Sequence, residues 1–479
     1  MLTHLKRLVA HSGVYGIGIL IQAVLGVLLL PLYTHYLTRA DYGAIETVNA
    51  GTALLAVVLY GGITTAFFRF YFQASDPEWR TRVLRTSVWF TMSTATVGAI
   101  VLLALAVPIS DVLFGGPSRA NLIRAGAIAL WAQMNYGQVA SLFRAEERST
   151  QFVAASVANL LISVGATVVL VVGFEEGAIG VLVGNLTGTL VVWMALFGYR
   201  RKLLAPMLDR SLLRKMQRFG LPLAASGLAL WAINFIDRFF LVVIAGESET
   251  GLYSIAVRIA SVVGLLLAAF STAWPAFAYS LDDDGRARET FSYVLTYLLY
   301  AACWLSLALG LLAPWLVRLA APSNPAFWPA SRAVALLSFA TAALAGYVVT
   351  VTATSRTGRT KFNWAITGSG AAVNIVLNVL LIPSYGMMGA AIATVAAYTW
   401  MFLVASWYAQ RIYPVPYQWR RIALIAAVSV LLTATGSVLW RSLPLALALV
   451  AAFPFALLPF AFYESVELRT LRRLVPIGR

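Results

Sequence analysis

Apolar runs of about eighteen residues or more recur along nearly the whole chain, and this limits what it can fold into, because each is long enough to cross a bilayer as a helix. Membrane-spanning strands would alternate apolar and polar residues instead of running continuously apolar. With 60% of residues hydrophobic and only 11% charged, a water-soluble globule could not cover its own apolar surface. Runs and breakers together predict about fourteen helices. They cover residues 11–38, 41–72, 82–107, 119–145, 149–173 and 176–202, then 213–245, 248–281, 287–312, 326–355, 359–383 and 385–412, and last 419–440 and 443–463. The fold class is an all-α polytopic membrane protein.

A net charge of +16 would suit a nucleic-acid partner, but the placement of the charges excludes that reading. Basic residues cluster at alternate helix ends: Lys6 and Arg7, Arg80 to Arg85, Arg144 and Arg148, Arg200 to Arg218, Arg286 and Arg288, Arg356 to Lys361, Arg411 to Arg421, and the tail from Arg469. With both termini in the cytoplasm, about 26 of the 35 Lys and Arg face that side, about 6 face outward and about 3 lie inside helices. Lys6 and Arg7 precede an apolar run without a convincing cleavage site, which reads as a retained first helix.

The chain also repeats itself. Gly43 in RADYGAIE matches Gly251 in SETGLYSI about 208 residues on, and Pro108 matches Pro314 about 206 on. RAGAIAL from Arg124 pairs with RAVALLS from Arg332, and the turn at Gly177 and Gly180 recurs at Gly386 and Gly389, each at nearly the same offset. Six helices per repeat is an even number, so the two halves share one orientation. The expected organisation is a six-helix lobe over 1–202, a basic amphipathic cytoplasmic linker over 203–218, a second lobe over 219–412, and an extra helix pair with a basic tail over 413–479. The linker region from Tyr199 to Arg218 carries seven basic residues against one acid, with Leu203, Leu204, Met207, Leu212 and Leu213 between them, a pattern suited to an anionic lipid surface.

Enzymatic constellations are scarce. Cys303 is the single cysteine and lies in an apolar run, while His4, His11 and His35 all sit near the N-terminus, which leaves no His/Cys metal or catalytic set. The informative polar residues are those at membrane depth, each costing roughly 2.5–3.5 kcal/mol to insert. Asp237 and Arg238 stand on the seventh helix and Arg258 on the eighth, with the acid and Arg258 at roughly 13 and 12 Å from the intervening turn. Asn234 lies one turn from Arg238; Asn374 and Asn378 share a face of the eleventh helix. Glu46 lies roughly 8 Å inside the second helix, and Arg69 near that helix's other end, among aromatic residues. One acid cannot neutralise two arginines, so positive charge remains for an anionic ligand such as phosphate, which guanidinium binds through two parallel hydrogen bonds.

PLYTHYLTRADYG from Pro31 to Gly43, FGLP from Phe219 to Pro222, the Asp237–Arg238 pair, GLYSIAVRI from Gly251, and Arg69 followed by Tyr71 together resemble the polysaccharide and O-antigen flippases of the multidrug/oligosaccharidyl-lipid/polysaccharide exporter superfamily. The resemblance implies two parallel six-helix lobes around a central cavity that alternates access. It implies transport of undecaprenyl-pyrophosphate-linked oligosaccharide from the cytoplasmic to the periplasmic leaflet of the bacterial inner membrane, alongside polysaccharide polymerase machinery. On this reading the substrate-binding candidates are Arg238, Arg258, Arg69, Asn234, Asn374 and Asn378. Asp237 and Glu46 are the candidates for charge pairing or for coupling to H+ or Na+, with no other cofactor. A cation-coupled drug exporter and a lipid II flippase are the alternatives within the same superfamily. A polymerase or ligase is rejected, because the longest outward loop, roughly 313–325, has Arg318 as its only ionisable group.

Overall fold

A computed structural model describes Gly26 and residues 29–281, 283–357, 362–439, 442–460 and 462–464. Most of the expected first span, the basic residues Lys6, Arg7, Arg359, Lys361 and Arg441, His4 and His11, and the tail from Arg469 lie outside them. Among the described residues there is no strand, and twelve helices are long and apolar enough to cross a membrane. The chain is a multi-pass membrane protein. The remaining expected span, over 119–145, is helical throughout as Ala120–Ala145 but is too polar to count among the twelve.

The chain divides into two compact units: Met1–Ser254 with Asn378–Ala390, and Ile255–Leu377 with Ala391–Arg479. The first opens with α1 (Leu30–Tyr36) and α2 (Arg39–Tyr60). Thr38 and Asp41 form a reciprocal capping box at the start of α2, which satisfies amides that would otherwise be orphaned there. The second expected helix, 41–72, is not continuous. Gly61 and Gly62 both adopt left-handed backbone, at φ 50° and 74°, and a separate helix α3 (Ile63–Tyr71) follows. Two adjacent residues at positive φ end a helix, and only glycine takes both positions without strain. Next come α4 (Pro77–Ala104), α5 (Ala106–Phe114), α6 (Ala120–Ala145), α7 (Ser149–Val168) and α8 (Gly177–Tyr199). Phe67, Leu84, Phe143 and Met216 are buried in one apolar cluster that ties α3, α4, α6 and α9 (Arg210–Ile244) together.

The basic linker overlaps the expected seventh helix. Residues 210–218 are the first turns of the 35-residue helix α9, which begins three residues before the expected 213. Asp209 caps that helix, accepting hydrogen bonds from the Ser211 and Leu212 amides at 2.9 and 3.0 Å, and it pairs with Arg82 at 2.5 Å. Arg85 and Trp89 of α4 hold the preceding carbonyls of Leu203 and Leu204, and Leu204 and Leu212 turn into the protein, with Leu203 and Leu213 packed against the same cluster and Met207 exposed. The Leu212 amide, the Ser211 hydroxyl and the Arg82 guanidinium hold the Asp209 carboxyl below the ordinary carboxylate range. A depressed folded-state pKa means the cap contributes fully above the unfolded value of about 4 and is lost as pH falls through the folded one. Asp209→Ala should therefore cost about 1 kcal/mol at pH 7 and progressively less in acid; equal effects at pH 7 and pH 3 in thermal unfolding would refute the cap.

The second unit takes up α10 (Glu247–Tyr279) from Ile255 on, then α11 (Asp284–Ala320), α12 (Ser331–Arg356), α13 (Asn363–Tyr385) to Leu377, α14 (Met387–Ile412) from Ala391 on, α15 (Trp419–Leu439) and α16 (Leu443–Ala456). The extra C-terminal pair packs on α11: Trp304 donates to the Val450 carbonyl at 2.8 Å, and Tyr300 lies against Phe453. The predicted repeat has a local counterpart in backbone geometry. Gly177 and Gly386 both take positive φ, at 50° and 52°, immediately before or at the start of a spanning helix. Gly180 and Gly389 then each press on the backbone of the helix before, at Leu170 and Leu381.

Candidate functional site

Asp237 and Arg238 are neighbours in sequence, but on a helix consecutive side chains point about 100° apart. Each therefore finds different company. Asp237 is 1% exposed; one carboxylate oxygen accepts from the Tyr253 hydroxyl at 2.5 Å and the other from the Asn378 amide at 2.6 Å. Asp237 lies nine residues before the turn at Gly246 and Tyr253 seven beyond it, so two antiparallel helices bring them within hydrogen-bond reach. Arg238, 5% exposed, donates to the Asn234 carbonyl at 2.9 Å and lies 3.7 Å from the Glu46 carboxylate of α2 through its Nε, which makes no hydrogen bond. That distance is an ion pair rather than a hydrogen bond, so the guanidinium is neutralised without being fully engaged.

Among the other predicted site residues, Asn378 serves as a donor to Asp237, while Asn374, one turn before it, is fully buried in the other unit. The Asn234 side chain is exposed and its amide donates back to the Leu230 carbonyl at 2.7 Å. Arg69 is exposed and stacks on the Phe219 ring at 4.1 Å, at the start of the FGLP stretch. Arg258 is exposed, belongs to the second unit, and stands five residues beyond Tyr253, roughly 7.5 Å further along α10. Tyr253 was missed in sequence because only charged residues were matched by depth; a hydroxyl at nearly matching distance beyond the same turn was the available signal.

A second polar cluster lies at the Arg39 end of α2. Arg119 joins Asp41 at 2.7 Å and Glu247 at 2.8 Å. Burial works against its charge, but the hydrogen bonds to the two carboxylates outweigh that and raise its pKa above the ordinary arginine value. Beneath this clasp the repeat-related glycines meet. A Cβ on Gly43 would fall 1.9 Å from the Glu247 carbonyl oxygen, and one on Gly251 would fall 2.1 Å from that of Arg39. Each glycine thus seats on the carbonyl four residues before the other, a reciprocal contact between two matching sequence positions. Glu249, the repeat counterpart of Asp41, accepts from the Met387 amide at 3.1 Å and so caps α14.

Among the described residues, twelve apolar helices and buried charge within them define a polytopic membrane fold. The family model described as polysaccharide biosynthesis protein matches residues 34–324, and the chain belongs to that family. Its fold is shared by a solved lipid II flippase, MurJ, in an inward closed conformation, with a TM-score of 0.77 at 14% identity over 97% of this chain and 99% of that one. It is also similar to an inward-facing multidrug resistance transporter of the MATE family within the MOP superfamily, with a TM-score of 0.65 at 16% identity over 84% of this chain and 94% of that one. An uncharacterized membrane protein of Methanocaldococcus jannaschii is 33% identical over 89 residues, which span 19% of this chain and 18% of that relative. The chain is thus a polysaccharide-biosynthesis protein with the fold of MOP-superfamily flippases and exporters.

Proposed function

We propose that the chain moves undecaprenyl-pyrophosphate-linked oligosaccharide from the cytoplasmic to the periplasmic leaflet of a bacterial inner membrane by alternating access, with both termini in the cytoplasm. The observation that carries this reading is Arg238: a guanidinium at membrane depth, in a polysaccharide-biosynthesis protein, held only at 3.7 Å by its counter-ion Glu46. A pyrophosphate can displace so loose a pair, since its oxygens accept the two parallel bonds that guanidinium is built to donate. Arg258 supplies the second cation, and Arg69, Asn234 and Asn374 contribute to the substrate path. Asp237, held by the neutral donors Tyr253 and Asn378, is the candidate for H+ or Na+ coupling, and Glu46 is its alternative. The exported product would pass to polysaccharide polymerase machinery.

The test is complementation of a bacterial strain lacking its own O-antigen flippase, with lipid-linked intermediates extracted and quantified. Restored surface polysaccharide with loss of cytoplasmic-leaflet accumulation supports the reading. Persistent accumulation across several sugar repeats, with dye efflux or lipid II flipping gained instead, would replace it with one of the other superfamily activities. Arg258→Ala should lower restored display about tenfold or more at matched expression, because one charge-assisted contact of about 1.5–3 kcal/mol is lost. Wild-type display by that variant would remove Arg258 from the site.

A further inference from the structure

The first unit holds an open cleft of about 540 Å³ between α2, α6, α7 and α8, within the range of about 300–1,000 Å³ usual for small-ligand pockets. Its lining contains amides, hydroxyls and an aromatic wall, and no ionisable carboxylate, guanidinium or ammonium group. Lipid-facing helices do not carry such groups without a reason, because an unsatisfied amide in hydrocarbon is costly. Yet the side-chain amides of Asn49, Gln133 and Asn185, one each from α2, α6 and α8, make no hydrogen bond with any described residue. Asn159 is different: its carbonyl oxygen accepts from Ser163 at 3.2 Å and Thr189 at 3.4 Å, leaving its NH2 for something else. Tyr136 and Phe152 present aromatic surface to the same space.

The walls are held in register by close packing. A Cβ on Gly188 would fall 2.1 Å from Ser163 Oγ and 2.6 Å from the Asn159 carbonyl, and one on Gly184 2.6 Å from the Thr167 backbone. These two glycines let α7 and α8 approach until Asn159 and Asn185 share one cavity.

We propose that this cavity is a sugar subsite, taking a hydroxyl-rich, uncharged residue of the headgroup while the arginines take the diphosphate; this rests on the flippase reading above. An amide offers donors and an acceptor together, which matches a sugar hydroxyl that both gives and receives, and aromatic faces cover the apolar side of a pyranose ring. An ion would find no opposite charge here, and an isoprenoid tail would strand the amides. The sugar subsite thus selects among lipid-linked oligosaccharides rather than holding the lipid.

The experiment compares binding of bare undecaprenyl pyrophosphate with a panel of its oligosaccharide-bearing forms to the full chain in nanodiscs. The wild type should bind one glycosylated form at least tenfold more tightly than the bare lipid. Gln133→Leu with Asn185→Leu should cut that preference to under threefold and leave bare-lipid affinity unchanged, which also shows that the variant is folded. An unchanged preference in the variant means a water-filled cavity only and overturns the proposal, as does equal loss of both lipids. A wild type that binds bare and glycosylated lipids alike also overturns it while leaving the flippase reading standing. A wild type that binds neither lipid sinks the flippase reading, and this one with it.

Discussion

Arg238→Ala is expected to lower oligosaccharide flux by about a hundredfold or more while the protein still inserts and folds. Two charge-assisted hydrogen bonds to a pyrophosphate, at about 1.5–3 kcal/mol each, amount to two or more decades in affinity. Folding survives because Glu46 keeps partial exposure, at 16% of its side chain, and can be hydrated when Arg238 is gone. Arg238→Lys should recover only part of the flux, since an ammonium carries the charge without the planar fork. Glu46→Gln isolates the other half of the pair: it leaves a guanidinium at membrane depth without its counter-ion, at a cost of up to about 3–5 kcal/mol. Glu46→Gln combined with Arg238→Gln should regain stability but not flux. Full polysaccharide display by Arg238→Ala, or equal rescue by the neutral double variant, would show the pair to be structural. The readouts are surface polysaccharide and lipid-linked intermediates at matched protein level, with thermal unfolding in detergent for the stability terms.

What could be read from the sequence follows from what a bilayer enforces. The apolar runs had to be helices, so the all-α class and twelve of the expected spans were legible without any side-chain geometry. The repeat was legible because Gly177 and Gly386 meet the same backbone demand, a left-handed residue before a helix. The break inside the second helix was not, because the apolar run continues across Gly61 and Gly62; two adjacent glycines were the signal, and hydropathy outweighed it. The start of α9 was placed three residues late, at 213 instead of 210, for the opposite reason. Its basic residues looked like a surface segment, while Asp209 two residues before Ser211 already had the chemistry of a helix cap. At the site, the sequence picked out Asp237, Arg238 and Glu46. It did not assign Glu46 to Arg238, because that pairing depends on where α2 and α9 face each other. The Trp231 indole donating to the Ala50 carbonyl at 2.9 Å fixes that facing, and nothing in either segment's periodicity announces it.

Gly43→Val and Gly251→Val should each stop transport by preventing one end of the first unit from closing. An added Cβ at 1.9 or 2.1 Å from a backbone carbonyl cannot be relieved by a rotamer change, since the obstructing atom is main chain on both sides. Restoring ordinary contact at 3.4 Å requires the starts of α2 and α10 to part by about 1.3–1.5 Å. Arg119 bridges both helices at 2.7 and 2.8 Å, and a gap of that size breaks at least one of its bonds. Steric and electrostatic closure therefore fail together, and the unit is left with this end open. With the orientation proposed above, that end faces outward. A cysteine at exposed Asn49 should then react faster with a membrane-impermeant maleimide added outside, while the native Cys303, which is buried, stays silent. Gly264→Ala is the matched control on the same helix, with nothing within 4 Å of the new Cβ, and should transport normally. Arg119→Ala removes only the bonds and should give a milder version, with faster labelling and flux lowered by less than tenfold. Unchanged labelling with lost flux in both valine variants would mean that the glycine contact serves packing alone. Unchanged flux would mean that this contact does not need to form for transport, and would overturn the proposed closure at this end.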